Sequence, residues 1–411
     1  MNKPSSPAAP RVTDSDICIV GNGAIAKTTA LGLAQSGLSV TLLTPPSPTP
    51  APAAPAGLEV NAGWDVRVYA LNHTAHALLS SLRVWDALDA ARVAPVDAMI
   101  IQGDGAGAGD LSFDAYGAHA GTLAWILEDR NLNQALDAAL KFARDVTVVH
   151  GRAAALLRDG ERATVRLEDG AAITAQLVVG ADGGDSWVRG QCDIGLDYRS
   201  YGQSAVVTNF ACEKSHHGAA YQWFTGAEGI VALLPLPGNQ VSLVWSAPDA
   251  LAEKLRAEPA ARIAERLAVY AADKLGALTP LQPELVRDFP LRLIRPHAMT
   301  SPRVALVGDA AHVVHPMAGH GMNLGFADVA QLMKTLGERE AQRGVGDDRV
   351  LARYARARKE DVLLMQLTTD GLARLFGTDI EPLRVVRNLG LNLLNKLPVL
   401  KRRLISHAMG K

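Results

Sequence analysis

A glycine-rich turn near the N-terminus constrains the fold of this chain more than any other sequence feature. A short apolar run leads directly into Gly21-Asn22-Gly23-Ala24-Ile25-Ala26, a helical pattern follows to Gln35, and a second apolar run covers residues 38–43. In a β-turn-α-β unit of this kind, Gly21 permits the tight turn, Gly23 lets a pyrophosphate approach the backbone, and the small Ala26 lets the helix pack closely on the strand. The pattern predicts a Rossmann-type dinucleotide-binding domain.

The second strand of this unit ends at Thr44, where such domains commonly carry an acidic residue for the ribose hydroxyls. A threonine hydroxyl hydrogen-bonds a ribose more weakly than a carboxylate does. We therefore expect Thr44 to contact the dinucleotide, with a weaker hydrogen bond than an acid would make.

A second glycine motif, Asp182-Gly183-Gly184-Asp185-Ser186-Trp187-Val188-Arg189, follows the strand-like residues 173–179. Two glycines and an acid after a strand expose backbone amides beside a fixed carboxylate, an arrangement that suits a nucleotide and its sugar. Arg189 offers a guanidinium for a phosphate. A turn before a capped helix is equally compatible with this pattern, so the motif alone leaves both interpretations open.

The third motif extends from Gly308-Asp309 to Asn323 and follows a strand-like segment. Asp309 can accept hydrogen bonds from a polyol, while Gly319 and Gly321 let the backbone approach a ring before a helix begins at Met322. The N-terminus of that helix would offer amides and partial positive charge to the anionic edge of a reduced flavin.

In order and spacing, the three motifs resemble those of the single-component flavin aromatic hydroxylases, the group that includes p-hydroxybenzoate hydroxylase. Within that group the chain is similar to the branch that acts in ubiquinone biosynthesis. The resemblance covers nearly the whole chain and is supported by residues 65–71, 127–132, 201–205, 233–238 and 387–391. It implies non-covalently bound FAD, NAD(P)H as the reductant, and transfer of one oxygen atom of O2 to the ring of a prenylated phenol, with the cofactor carrying the redox chemistry.

The resemblance also implies roles for single residues. The turn formed by Gly21, Gly23 and Ala26 would hold the FAD pyrophosphate, and Arg67 and Arg130 would reach the phosphates or the flavin side.

The other two motifs would complete the site. Asp182 and Gly183 would lie where FAD and the nicotinamide cofactor meet, and Asp309 after Gly308 would bind the ribityl chain. The backbone at Met322 and Asn323 would receive the edge of the flavin ring, with Pro316 on its substrate side. The chain departs from the branch at Thr44 and at His320, where the branch usually has glutamine.

The segment between the second and third motifs predicts a different architecture. Residues 203–246 contain four strand-like runs separated by turns, which favours an antiparallel sheet. We expect an α/β protein with a discontinuous Rossmann-type FAD-binding domain (residues 15–190 and 286–370), an antiparallel-sheet substrate domain (191–285) and a helical C-terminal region (371–411). Residues 1–14, rich in Pro, Ser and Ala, are expected to be a disordered tail.

Composition excludes several classes of protein. A formal net charge of −1 supplies no positive field for nucleic acid, and three scattered cysteines suit neither a disulfide framework nor a zinc site. His312, His315 and His320 lack the accompanying carboxylates of an open metal site, so we predict no metal. Without an apolar run of about 18 residues, the expected location is the cytoplasm.

The C-terminal residues 381–411 are basic and amphipathic, with one acidic residue, Glu381, against seven basic ones: Arg384, Arg387, Lys396, Lys401, Arg402, Arg403 and Lys411. Leucines recur among them at helical spacing, interrupted by Pro398. Such a segment suits an anionic membrane surface, where a polyprenyl substrate would reside, and equally a helix packed on the catalytic domain or on a partner subunit.

Two other functions fit the same sequence: a hydroxylase of a small soluble aromatic compound, and a non-catalytic scaffold of a biosynthetic complex. The sequence singles out no catalytic base, and His217, Tyr221 and His312 are candidates only.

Overall fold

The computed structural model describes residues 12–46, 63–103, 108–117, 119–315 and 319–376. In chain order its elements are β1 (Val12–Val20), α1 (Ala24–Gln35), β2 (Val40–Thr44), β3 (Val68–Leu71), α2 (His73–Ser81), β4 (Val93–Val96), β5 (Ala98–Gln102), β6 (Asp110–Asp114), β7 (Ala124–Glu128), α3 (Asp129–Phe142), β8 (Val146–His150), β9 (Ala153–Asp159), β10 (Arg162–Leu167), β11 (Ala172–Gly180), α4 (Trp187–Gln191), β12 (Leu196–Cys212), β13 (Ala219–Phe224), β14 (Ile230–Leu236), β15 (Gln240–Pro248), α5 (Asp249–Ala257), α6 (Ala260–Leu275), β16 (Leu278–Pro280), β17 (Arg287–Pro296), β18 (Thr300–Ser301), β19 (Val304–Leu306), α7 (His320–Gly337) and α8 (Asp348–Phe376).

A parallel sheet positions the first glycine turn. Strand β1 pairs in parallel with β2 and β11, and the sheet continues through β8 on one side and β19 on the other. Helices α1, α7 and α8 cover one face, while the β9–β10 hairpin and α4 cover the opposite face. Both faces of the sheet are covered, so side chains on both sides of β1 are buried. The C-terminal part of β1 is accordingly a continuous apolar run, which is typical of buried parallel strands.

A second, mostly antiparallel sheet has the order β16-β12-β15-β14-β13-β5-β6, with β17 also on β12. Helices α5 and α6 cover one of its faces, where Phe210 and Trp245 are fully buried. The opposite face turns toward a small sheet of order β3-β7-β4, through contacts of Ala220 and Leu236 with Ile126. The parallel sheet and the antiparallel sheet predicted from the sequence are both present, which confirms the α/β fold class.

The bounds of these parts differ from the sequence-based expectation at several points. Residues 12–14 belong to β1, because they pair with β11, and so are not part of a disordered tail. Strands β5, β6 and β17 join the antiparallel sheet, although the sequence placed them in the FAD-binding domain. Local pattern identifies a strand, but the partner of that strand is a tertiary property.

The third motif also begins its helix earlier than expected, since α7 starts at His320 and not at Met322. The described helices include none that is both long and apolar enough to cross a bilayer. Residues 1–11, the proline-rich stretch 47–62 and the basic segment 377–411 lie outside the described residues.

We expect Gly21→Ala to destabilise the ligand-free protein by about 1–3 kcal/mol. Gly21 has φ +145°, and an added Cβ would lie 2.2 Å from the carbonyl oxygen of Ala181, so the ends of β1 and β11 would have to separate. Urea unfolding of the flavin-free protein measures the change.

Gly23→Ala is the matched control, because its Cβ would meet nothing within 4 Å and its φ is −77°. We expect this variant to lose less than about 1 kcal/mol. An equal loss in the two variants would contradict the role of close backbone approach at Gly21.

Candidate active site

The three sequence motifs meet at the carboxyl edge of the parallel sheet. The amide of Ala181 donates to the carbonyl of Val20 at 2.9 Å, and the amide of Val307 donates to the carbonyl of Gly180 at 2.9 Å. The chain therefore leaves three adjacent strand ends into the three motifs at one edge, where ligands of open α/β sheets bind.

The side chain of Arg189 ties the second motif to the third. Its buried guanidinium donates to the carbonyl of Ala310 at 3.0 Å and to the carbonyl of Gly184 at 2.6 Å. The phosphate role that the sequence allowed for Arg189 is therefore replaced by a structural one, because its donors are directed at backbone oxygens.

A buried carboxylate fixes the start of the third motif. Asp328 on α7 accepts hydrogen bonds from the amide of Gly308 at 2.9 Å and from Nε of Arg358 at 2.7 Å, and its Oδ2 lies 2.6 Å from Nε2 of His312. Burial acts to raise the pKa of Asp328, but His312 and Arg358 hold it below its usual range. Sequence reasoning missed this network, because an acid 16 residues beyond His312 forms no local pattern with it.

Asp309 lies next to this anchored turn, on a concave part of the surface at the carboxyl edge of the sheet, which we call the cleft. Its side chain is open to solvent although protein atoms crowd around it. This desolvation raises its pKa, against the opposing influence of His312, Arg67 and Arg292. Arg67 and Asp309, assigned to the same cofactor by the resemblance, thus share one cleft.

Arg292 on β17 is a neighbour of this cleft that sequence reasoning missed. Its guanidinium forms a two-point ion pair with Asp185 of the second motif, at 2.7 and 2.9 Å. A single arginine within a strand forms no sequence motif, so only the tertiary structure reveals its position.

Unsatisfied groups in the first two motifs fit a dinucleotide. One oxygen of Asp182 accepts from the amide of Val188 at 3.0 Å, whereas its other oxygen, Oδ1, is buried and has no partner among the described residues. Cβ atoms added at Gly23 and Gly183 would meet nothing within 4 Å, so the backbone there faces open space. Helix α1 has no side-chain cap and no acid in its first turn, which leaves its N-terminal amides for an anion.

The N-terminus of α7 is held against β3 and α2. Gly319 adopts a left-handed conformation with φ +68°, and a Cβ there would come within 3.1 Å of the Cβ of Ala70. Asn323 donates from its amide to the carbonyl of Ala70 at 2.8 Å and accepts from the amide of Asn72 at 2.9 Å. Its side chain is thus committed to protein partners, while a Cβ at Gly321 would face open space.

Thr44 and Arg130, two further predicted cofactor-binding residues, already have protein partners. Oγ1 of Thr44 lies 2.8 Å from Nδ1 of His150, so one hydrogen-bonding position of its hydroxyl is already used. Arg130 donates to the carbonyl of Gly63 and lies 3.6 Å from the buried carboxylate of Glu128. Pro316 lies outside the described residues.

The three candidate bases are not directed into the cleft. Tyr221 stacks on Trp223 on the face of the antiparallel sheet that helices cover, and His217 is exposed in the turn before β13. The ring of His312 is buried and hydrogen-bonded to the carboxylate of Asp328. His315 is buried, which lowers its pKa to about 4 and keeps it neutral at pH 7.

An apolar cavity of about 470 Å³ lies elsewhere, at the C-terminal end of α1, where Leu31, Leu82 and Phe142 contribute to its wall. It contains none of the motif residues. The candidate active site is therefore the cleft at the strand ends and not this cavity.

Comparison with known proteins shows the family to which this chain belongs. The model of the FAD binding domain family matches residues 113–365. Ubiquinone hydroxylase UbiL of Rhodospirillum rubrum is 36% identical over 400 residues, which cover 96% of this chain and 90% of the relative. The 3-demethoxyubiquinol 3-hydroxylase of Escherichia coli is also 36% identical, with coverage of 96% and 98%. This chain belongs to the ubiquinone-biosynthesis branch of the FAD-dependent aromatic hydroxylases.

Solved structures share the fold at low sequence identity. The p-nitrophenol 4-monooxygenase PnpA of Pseudomonas putida superposes with a TM-score of 0.75 at 18% identity, covering 97% of this chain and 98% of that one. HpxO of Klebsiella pneumoniae, solved with FAD and uric acid, gives a TM-score of 0.72 at 18% identity and 96% coverage of each chain. The fold predicted from the motifs is therefore confirmed by structures as well as by sequence.

Family membership makes the chain an FAD-dependent hydroxylase that uses NAD(P)H, O2 and an aromatic substrate. The predicted cofactor and the predicted enzyme class are confirmed, and the alternative of a non-catalytic scaffold is set aside. The roles of the single cofactor-binding residues stay predictions.

We expect Asp309→Asn to stabilise the flavin-free protein at pH 7 while weakening its affinity for FAD. Because the folded-state pKa of Asp309 is raised, the ionised carboxylate costs stability above that pKa, and the cost disappears as the pH falls and the group takes up a proton. Loss of a charged acceptor for a ribityl hydroxyl should weaken FAD roughly 10-fold.

Melting temperatures of both flavin-free proteins between pH 4 and 7, with FAD titrations by fluorescence, provide the measurement. The difference in melting temperature should shrink toward pH 4. A variant less stable at pH 7, or with unchanged FAD affinity, would disprove the assignment of Asp309.

Proposed function

We propose that this protein hydroxylates the aromatic ring of a polyprenyl-phenol intermediate of ubiquinone biosynthesis, with NAD(P)H and O2 as co-substrates. The observation that carries the proposal is the convergence of all three motifs on one cleft in a chain whose named relatives are ubiquinone hydroxylases over 96% of its length. The names of both relatives refer to ubiquinone or a ubiquinol. We therefore favour a prenylated substrate over a small soluble aromatic compound.

The residues of the cleft suit FAD in one orientation. The turn of Gly21 and Gly23 with the N-terminus of α1 would hold the pyrophosphate, Asp309 the ribityl chain, and the first turn of α7 the ring edge. When bound, FAD supplies the electron transfer from NAD(P)H to O2 that no side chain of this protein can provide. The protein's own contribution is to orient the ring of the substrate and to exclude water.

An apolar surface beside the cleft supports a prenylated substrate. Met99, Ile101, Ala232, Leu234 and Val244 lie on interior strands of the antiparallel sheet, on the face opposite α5 and α6, and all five are partly exposed. Side chains on interior strands between two layers are ordinarily close-packed. Their partial exposure indicates open apolar space, and we refer to these five residues as the open sheet face.

The test is oxygen transfer to a short-chain prenylphenol. The flavin-loaded protein with NAD(P)H, the phenol and ¹⁸O2 should give a ring-hydroxylated product that carries one ¹⁸O atom, detected by mass spectrometry. A small water-soluble phenol such as p-hydroxybenzoate serves as the comparison. Turnover of the small phenol alone would overturn the proposed substrate class.

We also propose that the protein works at the membrane surface, where a polyprenyl substrate partitions. Leu363, Leu364 and Leu367 on α8 are 39%, 50% and 60% exposed, whereas Gln366 and Thr369 of the same helix are buried. The three leucines therefore form an outward apolar stripe, and the basic residues 381–411 follow in the chain. An apolar stripe followed by positive charge is suited to an anionic lipid surface.

Replacing Leu363 and Leu367 by Asp should lower binding to liposomes that contain anionic lipid by about 10-fold or more, because each change removes apolar contact and adds repulsive charge. Co-sedimentation measures this. Val269→Asp on α6, a residue 83% exposed, is the matched control and should leave binding unchanged. Equal binding of the Leu363 and Leu367 variant and the wild type would refute the lipid contact.

A further inference from the structure

Gln222 points away from the helices that cover the antiparallel sheet. Its neighbours Tyr221 and Trp223 belong to the core formed with α5 and α6, and successive side chains of a strand alternate between faces. Gln222 therefore lies on the same side as Ala220, which contacts the small sheet. It is 6% exposed.

This side of the sheet faces the cleft of the three motifs. At one end of β12, Gln203 lies 3.3 Å from Nε2 of His315, in the third motif. At the other end, Asn209 donates from its amide to the carbonyl of Asp65 at 3.1 Å, in the segment that leads to Arg67. The sheet face thus spans the distance between the third motif and the Arg67 segment.

The immediate neighbours of Gln222 on this face are apolar. In the register of the sheet, Gln222 lies opposite Ala232 on β14 and Ile101 on β5, and Ala232 lies opposite Val244 on β15, followed by Val207 on β12. Gln222 is therefore the polar member of a row whose apolar members Ile101, Ala232 and Val244 belong to the open sheet face.

The amide of Gln222 has no protein partner among the described residues. None of the hydrogen bonds in the described part of the chain involves its side chain, yet its polar atoms are not sealed from the adjoining space. A nearly buried amide without partners is unfavourable unless something else hydrogen-bonds to it. In an apolar row beside the cleft, that role suits a polar group on an otherwise apolar ligand.

We propose that Gln222 is a specificity-determining residue that orients the substrate ring, with its side-chain amide hydrogen-bonded to the ring hydroxyl while the open sheet face holds the ring and the start of the prenyl chain. This inference rests on the proposed function. It gives the site a reason to select a phenol over a hydrocarbon of the same shape, because a site built to hydrogen-bond a hydroxyl rejects the analogue that lacks it.

The test compares two ligands in the flavin-loaded protein: a short-chain prenylphenol and the same molecule with hydrogen in place of the ring hydroxyl. Perturbation of the flavin absorbance gives both dissociation constants without turnover. Wild-type protein should bind the phenol more tightly, and Gln222→Met, which keeps the length of the side chain, should reduce this preference by about 3–10-fold. Gln342→Met, at an exposed glutamine, should retain the wild-type preference.

Flavin content and melting temperature of each variant are measured alongside. If Gln222→Met fails to retain flavin, Gln222→Asn, which withdraws the amide by one methylene group, should reduce the same ratio. If a flavin-loaded Gln222 variant kept the wild-type ratio of the two dissociation constants, the role of Gln222 would be overturned and the proposed function would still stand. Failure of the wild-type protein both to bind and to hydroxylate any prenylphenol would overturn the proposed function together with this inference.

Discussion

The buried carboxylate of Asp328 is the interaction on which the active-site cleft depends. It receives the backbone amide of Gly308, the ring of His312 and the guanidinium of Arg358, all away from solvent. Removing one partner of such a network leaves an uncompensated buried charge, at a cost of about 3–5 kcal/mol. This network holds the turn that presents Asp309, so buried residues determine the position of a side chain that is exposed.

Several groups in the cleft have interactions that the protein itself does not satisfy. Asp182 retains a buried oxygen without a partner, Asp309 is held at a raised pKa, and the backbone at Gly23 and Gly183 faces open space. Each feature is unfavourable or neutral for the protein alone and becomes favourable when a polar ligand supplies the missing contacts. The stability of the fold thus comes from the strand ends and the buried networks, while the groups predicted to bind the cofactor are left available.

The antiparallel sheet serves the site through its two faces. One face is closed by α5 and α6 around Trp245 and Phe210. The other is partly open beside the cleft, and there the alternation of side chains along β13 turns Tyr221 inward and Gln222 toward the open space. A one-residue difference in register would exchange these two roles, so the pairing of the sheet decides which polar group the substrate meets.

The sequence by itself determined the Rossmann-type unit, the family and the cofactor, because a glycine turn between a strand and a helix has local geometric requirements that few residues satisfy. It also located Asp182 and Asp309 beside strand ends. Only the tertiary structure decided that Arg189 binds backbone oxygens, that Asp328 anchors the third motif, that β5 and β17 join the antiparallel sheet, and that Gln222 lies in the apolar row. These contacts join residues far apart in the chain, and a short-range pattern carries no information about which distant segment a strand or side chain will meet.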